Sequence, residues 1–246
     1  GPFALQFERP SWFADWYQDF RYTGPLVLGI IGMVLLAFPI RARSGRGSAE
    51  LTRRTPLSFA KGLWIATPVV VVALILVVTV TAGAASRPDP ESGHYTMYFV
   101  DLGGERGMGT NIYGWFNSIP CLILIGVMIS IAIINLFLIA RPALDQDHFR
   151  DAAVRTVRTR NVLMVGTGAL LMHLGLIFGS LAGTASIRSS FATSEGPVAF
   201  WTTFAALGPW LSAASSVSAA LGFALWTTVA LSAIPSKRLA PTSVSS

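Results

Sequence analysis

The sequence predicts an all-α polytopic membrane protein: a five-helix transmembrane bundle with short interfacial helices and room for a small extracytoplasmic β-ribbon. Three observations carry this. Five apolar runs, 24–40, 62–86, 113–139, 162–184 and 208–234, are 17 to 27 residues long. None of the 18 Lys and Arg or 12 Asp and Glu residues falls inside them. The basic residues are divided unevenly between the connecting segments. A helix crosses the hydrocarbon of a bilayer with about 20 residues, and only helices and closed barrels satisfy their backbone polar groups there. Runs of this length exceed the roughly 9–11 residues of a barrel strand.

Orientation follows from charge. Segments 41–61 and 141–161 and the C-terminal tail hold thirteen basic residues, among them Arg41, Arg43, Arg155 and Arg158. The opposite side holds five: Arg9, Arg21, Arg87, Arg106 and Arg188. Basic residues of short loops stay cytoplasmic. This predicts an N-terminus outside, a C-terminus inside and a multi-pass protein of a bacterial plasma membrane. The division is residues 1–23 as an extracytoplasmic segment with an interfacial aromatic helix, 24–234 as the five-span domain, and 235–246 as a disordered cytoplasmic tail. The net charge of +6 then reflects topology and anionic lipid, not nucleic acid. Arginine outnumbers lysine 16 to 2 in an Ala-, Val- and Gly-rich chain, a composition of actinobacterial character. Residues 1–22 lack the charged-then-apolar pattern of a signal peptide.

Each element has its own signal. In residues 11–22, Trp12, Trp16 and Phe20 recur at helical spacing on one face, which suits a helix in the membrane interface or docked on a partner. The run from Gly24 to Ile40 is the shortest span. The second carries Pro68 and the third Pro120, each within the first turns of its helix. The outer segment 94–102 alternates as a strand does, and so does 185–194, so the two can pair. Residues 103–111 between them, GGERGMGTN, read as flexible. Residues 144–160 read as a separate cytoplasmic helix, acidic at its start and basic at its end, in accord with the helix dipole. Residues 197–207 read as an interfacial segment, and Gly208-Pro209 as the start of the last span.

Two spans carry small residues at packing distance. Gly168, Gly175, Gly179 and Gly183 share a stripe of the fourth. Gly208, Ser212, Ser215, Ala219 and Gly222 form a seam on the fifth. Such spacing lets helices approach closely in lipid. His173 lies on the side of the fourth span away from Gly175, which implies contacts on two sides. His173 and Asn135 are the buried polar candidates, and a hydrogen bond to a neighbouring helix accounts for either. Cys121 is the only cysteine, which excludes an internal disulfide and a cysteine metal cluster. The acidic start of 144–160, with His148, needs no metal to explain it. His94 and His148 lie in loops on opposite sides of the membrane and do not supply a second haem ligand for His173. No metal, cofactor or catalytic residue is assigned. The sequence therefore predicts a non-catalytic accessory or regulatory subunit of a larger inner-membrane complex, for example in lipid import, secretion or respiration. Its partners would be other integral membrane subunits and lipids, met laterally. A permease subunit is the alternative, and an intramembrane enzyme the third reading.

Overall fold

The structure is a computed structural model and describes residues 20–38, 61–101, 107–140, 148–193 and 196–232. Five helices run in chain order: α1 (Gly24–Ala37), α2 (Gly62–Ala85), α3 (Trp115–Ile139), α4 (His148–Ser186) and α5 (Gly208–Ser232). The last four are long and apolar enough to cross a membrane, and α1 is a shorter apolar helix. The expected aromatic helix at 11–22 lies outside the described residues except for its last three, and the tail 235–246 lies outside them entirely.

Helix α1 has 14 residues rather than the 17 of its apolar run, about 21 Å of helix. It stops because Phe38 precedes Pro39, whose ring disfavours the helical conformation in the residue before it. Phe38 is extended, with ψ 124°.

The two expected elements 144–160 and 162–184 are one helix. Helix α4 is continuous for 39 residues. Its sequence explains this: it contains no proline, and its first glycine is Gly166. Nothing in it interrupts hydrogen bonding between the polar and apolar halves. Helix α4 is also the hub of the bundle, and each of the other four helices packs on it. Over half of its most apolar stretch is buried (56%), against 17% for α2 and 11% for the stretch containing α5. Helices α1 and α3 also pack on one another, whereas α5 packs extensively on α4 alone among the helices.

The outer strands pair differently from the expected 94–102 with 185–194. β1 (Arg87–Pro88), β2 (Tyr95–Asp101) and β3 (Gly107–Asn111) form one antiparallel sheet in that order. β4 (Arg188–Thr193) and β5 (Gly196–Trp201) form a second. Each strand pairs with its neighbour in sequence, which closes short loops at lower entropic cost than a pairing across the chain. The expected flexible stretch is in part a strand, because Gly109 leaves room for side chains to cross it. A Cβ there would meet Met97 Cε at 2.7 Å and Phe99 Cε1 at 3.0 Å. The expected interfacial segment 197–207 holds most of β5 and a turn of 3₁₀ helix at Ala205–Leu207. Tyr98 of the first sheet meets the turn after β5: its Oη and Thr203 Oγ1 are 2.7 Å apart, and the Tyr98 and Phe204 rings meet edge-on at 5.5 Å. Thr184 of α4 donates to the Asn111 carbonyl at 2.7 Å, seating the first sheet on the end of α4.

Candidate functional site

His173 lies at the centre of the polar groups buried in the bundle. It is fully buried on α4. Its Nδ1 is 2.9 Å from the backbone oxygen of Tyr22, in the turn before α1. A carbonyl only accepts, so Nδ1 carries the proton and Nε2 is left as an acceptor. Tyr113, just before α3, faces Nε2 with its phenol at 3.5 Å. The Tyr22 and Tyr113 rings pack edge-on with centroids 4.8 Å apart, and both side chains are buried. Cys121 of α3 lies beside the Tyr113 phenol. Burial raises the Tyr22 phenol above its ordinary pKa, with Ser180 and Arg21 pulling the other way. Among the described residues its oxygen nonetheless makes no hydrogen bond of good geometry, nor does that of the buried Thr79 on α2. Chemically the group is one imidazole whose two ring nitrogens each face a hydrogen-bonding group. It ties the starts of α1 and α3 to α4.

The second cross-helix polar contact lies deeper in the chain. Asn135 of α3 is buried and donates its side-chain amide to the Met33 carbonyl of α1 at 3.3 Å and to its own helix at Ile131. Both groups that the sequence singles out as buried and polar thus end on neighbouring backbone.

Two arginines of α4 then close helix ends. Arg158 donates from Nη2 to the carbonyls of Leu36 and Phe38, at 3.3 and 3.0 Å, where α1 ends. Arg155 is buried, pairs with Asp151 at 2.8 Å and donates to the Ile139 carbonyl at the end of α3. The last carbonyls of a helix lack intrahelical partners and carry its negative end, so a guanidinium is well matched to them. In charge counting these residues read only as topology and lipid contacts. The missed signal was their i, i+3 spacing, which puts both on neighbouring parts of one face. Replacing Arg155 with methionine should cost about 1.5–3 kcal/mol, the range for a hydrogen bond to a charged group. Equilibrium unfolding in detergent reads it, and Asp151→Asn should cost less.

The two small-residue seams meet each other. A Cβ at Gly222 would lie 2.7 Å from the Gly168 carbonyl oxygen and 2.6 Å from Met172 Cγ. One at Gly168 would lie 2.5 Å from Trp226 Cδ1. At Gly175 the Ser215 carbonyl oxygen would be 3.0 Å away and Ala219 N 3.2 Å. Close approach permits direct bonds: Ser215 Oγ donates to the Gly175 carbonyl at 2.7 Å, and Trp226 Nε1 to that of Val165 at 3.0 Å. The seam loosens toward the sheet end. Gly179 would meet only Ser215 Oγ at 3.1 Å, and Gly183 nothing within 4 Å. There Gly183, Gly208 and Ser212 line an open cleft with Arg188. These residues therefore serve packing within the chain, and a lateral contact with another subunit cannot use the closed part of the seam.

The opposite face of α5 is uncovered. Ala213, Ser216, Ala220, Ala224 and Thr227 are all exposed. They recur at spacings of three and four, and Ala213 and Gly222 are about 180° apart round the helix. Exposed Val217 and Leu221 flank the stripe. Trp12 and Trp16 lie outside the described residues, and Phe20 is half exposed at the start of the turn before α1. Among the described residues no three His, Cys, Asp or Glu side chains gather to hold a metal. No protein-family model, curated protein or solved structure matches this chain.

Proposed function

We propose that the chain is a non-catalytic subunit of a bacterial inner-membrane complex that binds an integral membrane partner laterally through the outer face of α5. In this reading the sheets face outside and the basic end of α4 faces the cytoplasm, as the thirteen-to-five division of basic residues requires. The observation that supports it is the second small-residue stripe, Ala213 to Thr227, on the side of α5 away from α4. In lipid no hydrophobic drive holds helices together, so association depends on close van der Waals packing between small residues. The seam of α5 that faces α4 is used inside the chain, whereas this one has no partner among the described residues. The permease alternative calls for polar groups turned to a lumen at mid-membrane. His173 instead spends its Nδ1 on the backbone of the turn before α1, and Asn135 its amide on the backbone of α1.

The test is purification of the tagged chain in mild detergent from its native membrane. A stoichiometric membrane partner should accompany the wild type and be lost from Ala220→Trp, which blocks close approach, while the variant keeps wild-type helicity and monodispersity. A wild type that runs as a monomer, or an Ala220→Trp protein that keeps its full partner complement, rejects the proposal.

A further inference from the structure

We infer that the groove between the end of α1 and the basic half of α4 is a binding site for an anionic phospholipid. Independently of the partner reading, it rests on the membrane placement of the helices.

The groove exists because α1 is short. Arg158 fixes the level at which α1 ends, through its bonds to Leu36 and Phe38. Helix α4 continues past that level for the ten residues from Val157 back to His148, about 15 Å of helix that α1 does not cover. What remains is an open trough of about 460 Å³. Its walls are apolar: Leu35 and Phe38 from one side, Ala153, Val154 and Val157 from the other. Leu35, Phe38, Val154 and Val157 are all exposed. Such a surface at a helix end, where hydrocarbon meets headgroups, suits an acyl chain.

Charge selects the headgroup. Arg158 lines the same trough, and among the described residues its bonds to carbonyls are made by Nη2. A guanidinium has five N–H donors in a rigid fork, so the remaining face can take a phosphate. Asn161 also lines the trough, but its amide is already given to Ser232 Oγ on α5 at 3.2 Å, which leaves the headgroup to Arg158. The charge of Arg158 therefore favours a lipid of net negative charge over a zwitterionic one. Each basic residue near an anionic headgroup strengthens that preference.

The experiment uses the full chain in nanodiscs of equimolar phosphatidylglycerol and phosphatidylcholine, followed by release into mild detergent and native mass measurement. Wild type should retain phosphatidylglycerol about fivefold over phosphatidylcholine, the ratio expected from one basic residue at a membrane surface. Val157→Trp, which fills the trough and leaves every described polar contact in place, should lose most retained lipid. Arg158→Gln should retain lipid without preference. It also loses the α1 cap, so Val157→Trp decides the matter if it fails to fold. Equal retention of both lipids by wild type overturns the inference. So does an unchanged amount and preference in Val157→Trp. A dimer with no retained lipid would show instead that a second copy occupies the trough.

Discussion

Replacing Gly222 with leucine should detach α5 from the bundle, with a loss of about 3 kcal/mol or more in unfolding free energy measured in detergent. Overpacking a well-filled site ordinarily costs about 1–3 kcal/mol. Here the obstacle is backbone: the first added carbon would already lie 2.7 Å from the Gly168 carbonyl oxygen. A helix carbonyl does not swing aside as a side chain can, so the helices must separate. Separation also breaks the Ser215–Gly175 and Trp226–Val165 hydrogen bonds, because each depends on the same close approach. Among the described residues α4 is the only helix on which α5 packs extensively, so little else holds it in place. The structure further predicts a gradient along the stripe. Gly175→Leu should approach the Gly222 effect, because its first neighbours are again backbone atoms. Gly179→Leu should cost less, since only the Ser215 hydroxyl stands in the way. Gly183→Leu should match wild type, as nothing lies within 4 Å. Equal effects at Gly183 and Gly222 would mean that the seam is not the determinant of α5 attachment.

Much of this fold was legible because lipid simplifies the code. Charges excluded from five runs marked the five helices, and small residues at helical spacing marked a packing seam on α4 and another on α5 without pairing them with each other. The misreadings have local causes. Phe38 before Pro39 shortened α1, a two-residue signal hidden inside an apolar run. Polarity changes at residue 161, which invited a boundary there, but polarity is not a helix breaker and α4 continues through it. The alternating strands gave no register, because alternation alone does not choose a partner. The short connections made that choice. The polar centre was half visible. His173 stands out as the one ionisable histidine in a span, whereas Tyr22 and Tyr113 resemble the aromatic belt at any membrane boundary. Only the packing of α1 and α3 against α4 turns them inward.

His173→Leu should cost about 2–4 kcal/mol of unfolding free energy, whereas His173→Gln should cost under half of that. Leucine fills the space of the imidazole but removes both its donor and its acceptor. The Tyr22 carbonyl and the Tyr113 phenol then each lose a partner among buried side chains, at about 1–3 kcal/mol for an unsatisfied buried group. The Tyr113 share falls at the low end, because its contact with Nε2 is already long at 3.5 Å. The Tyr22 share falls at the high end, because that bond is 2.9 Å and its carbonyl has no other described partner. Glutamine carries an N–H donor and a carbonyl acceptor on one flexible chain, so it can serve either group at the expense of side-chain order. Tyr113→Phe should be milder than His173→Leu for the same reason: it removes the weaker of the two bonds and keeps the ring packed on Tyr22. The comparison also separates structure from chemistry. If His173 acts as a peg between helices, partner binding by the chain should track its stability across Leu, Gln and wild type. If His173→Gln is as stable as wild type yet abolishes the activity of the complex, the imidazole transfers protons or binds a ligand, and the peg account is wrong.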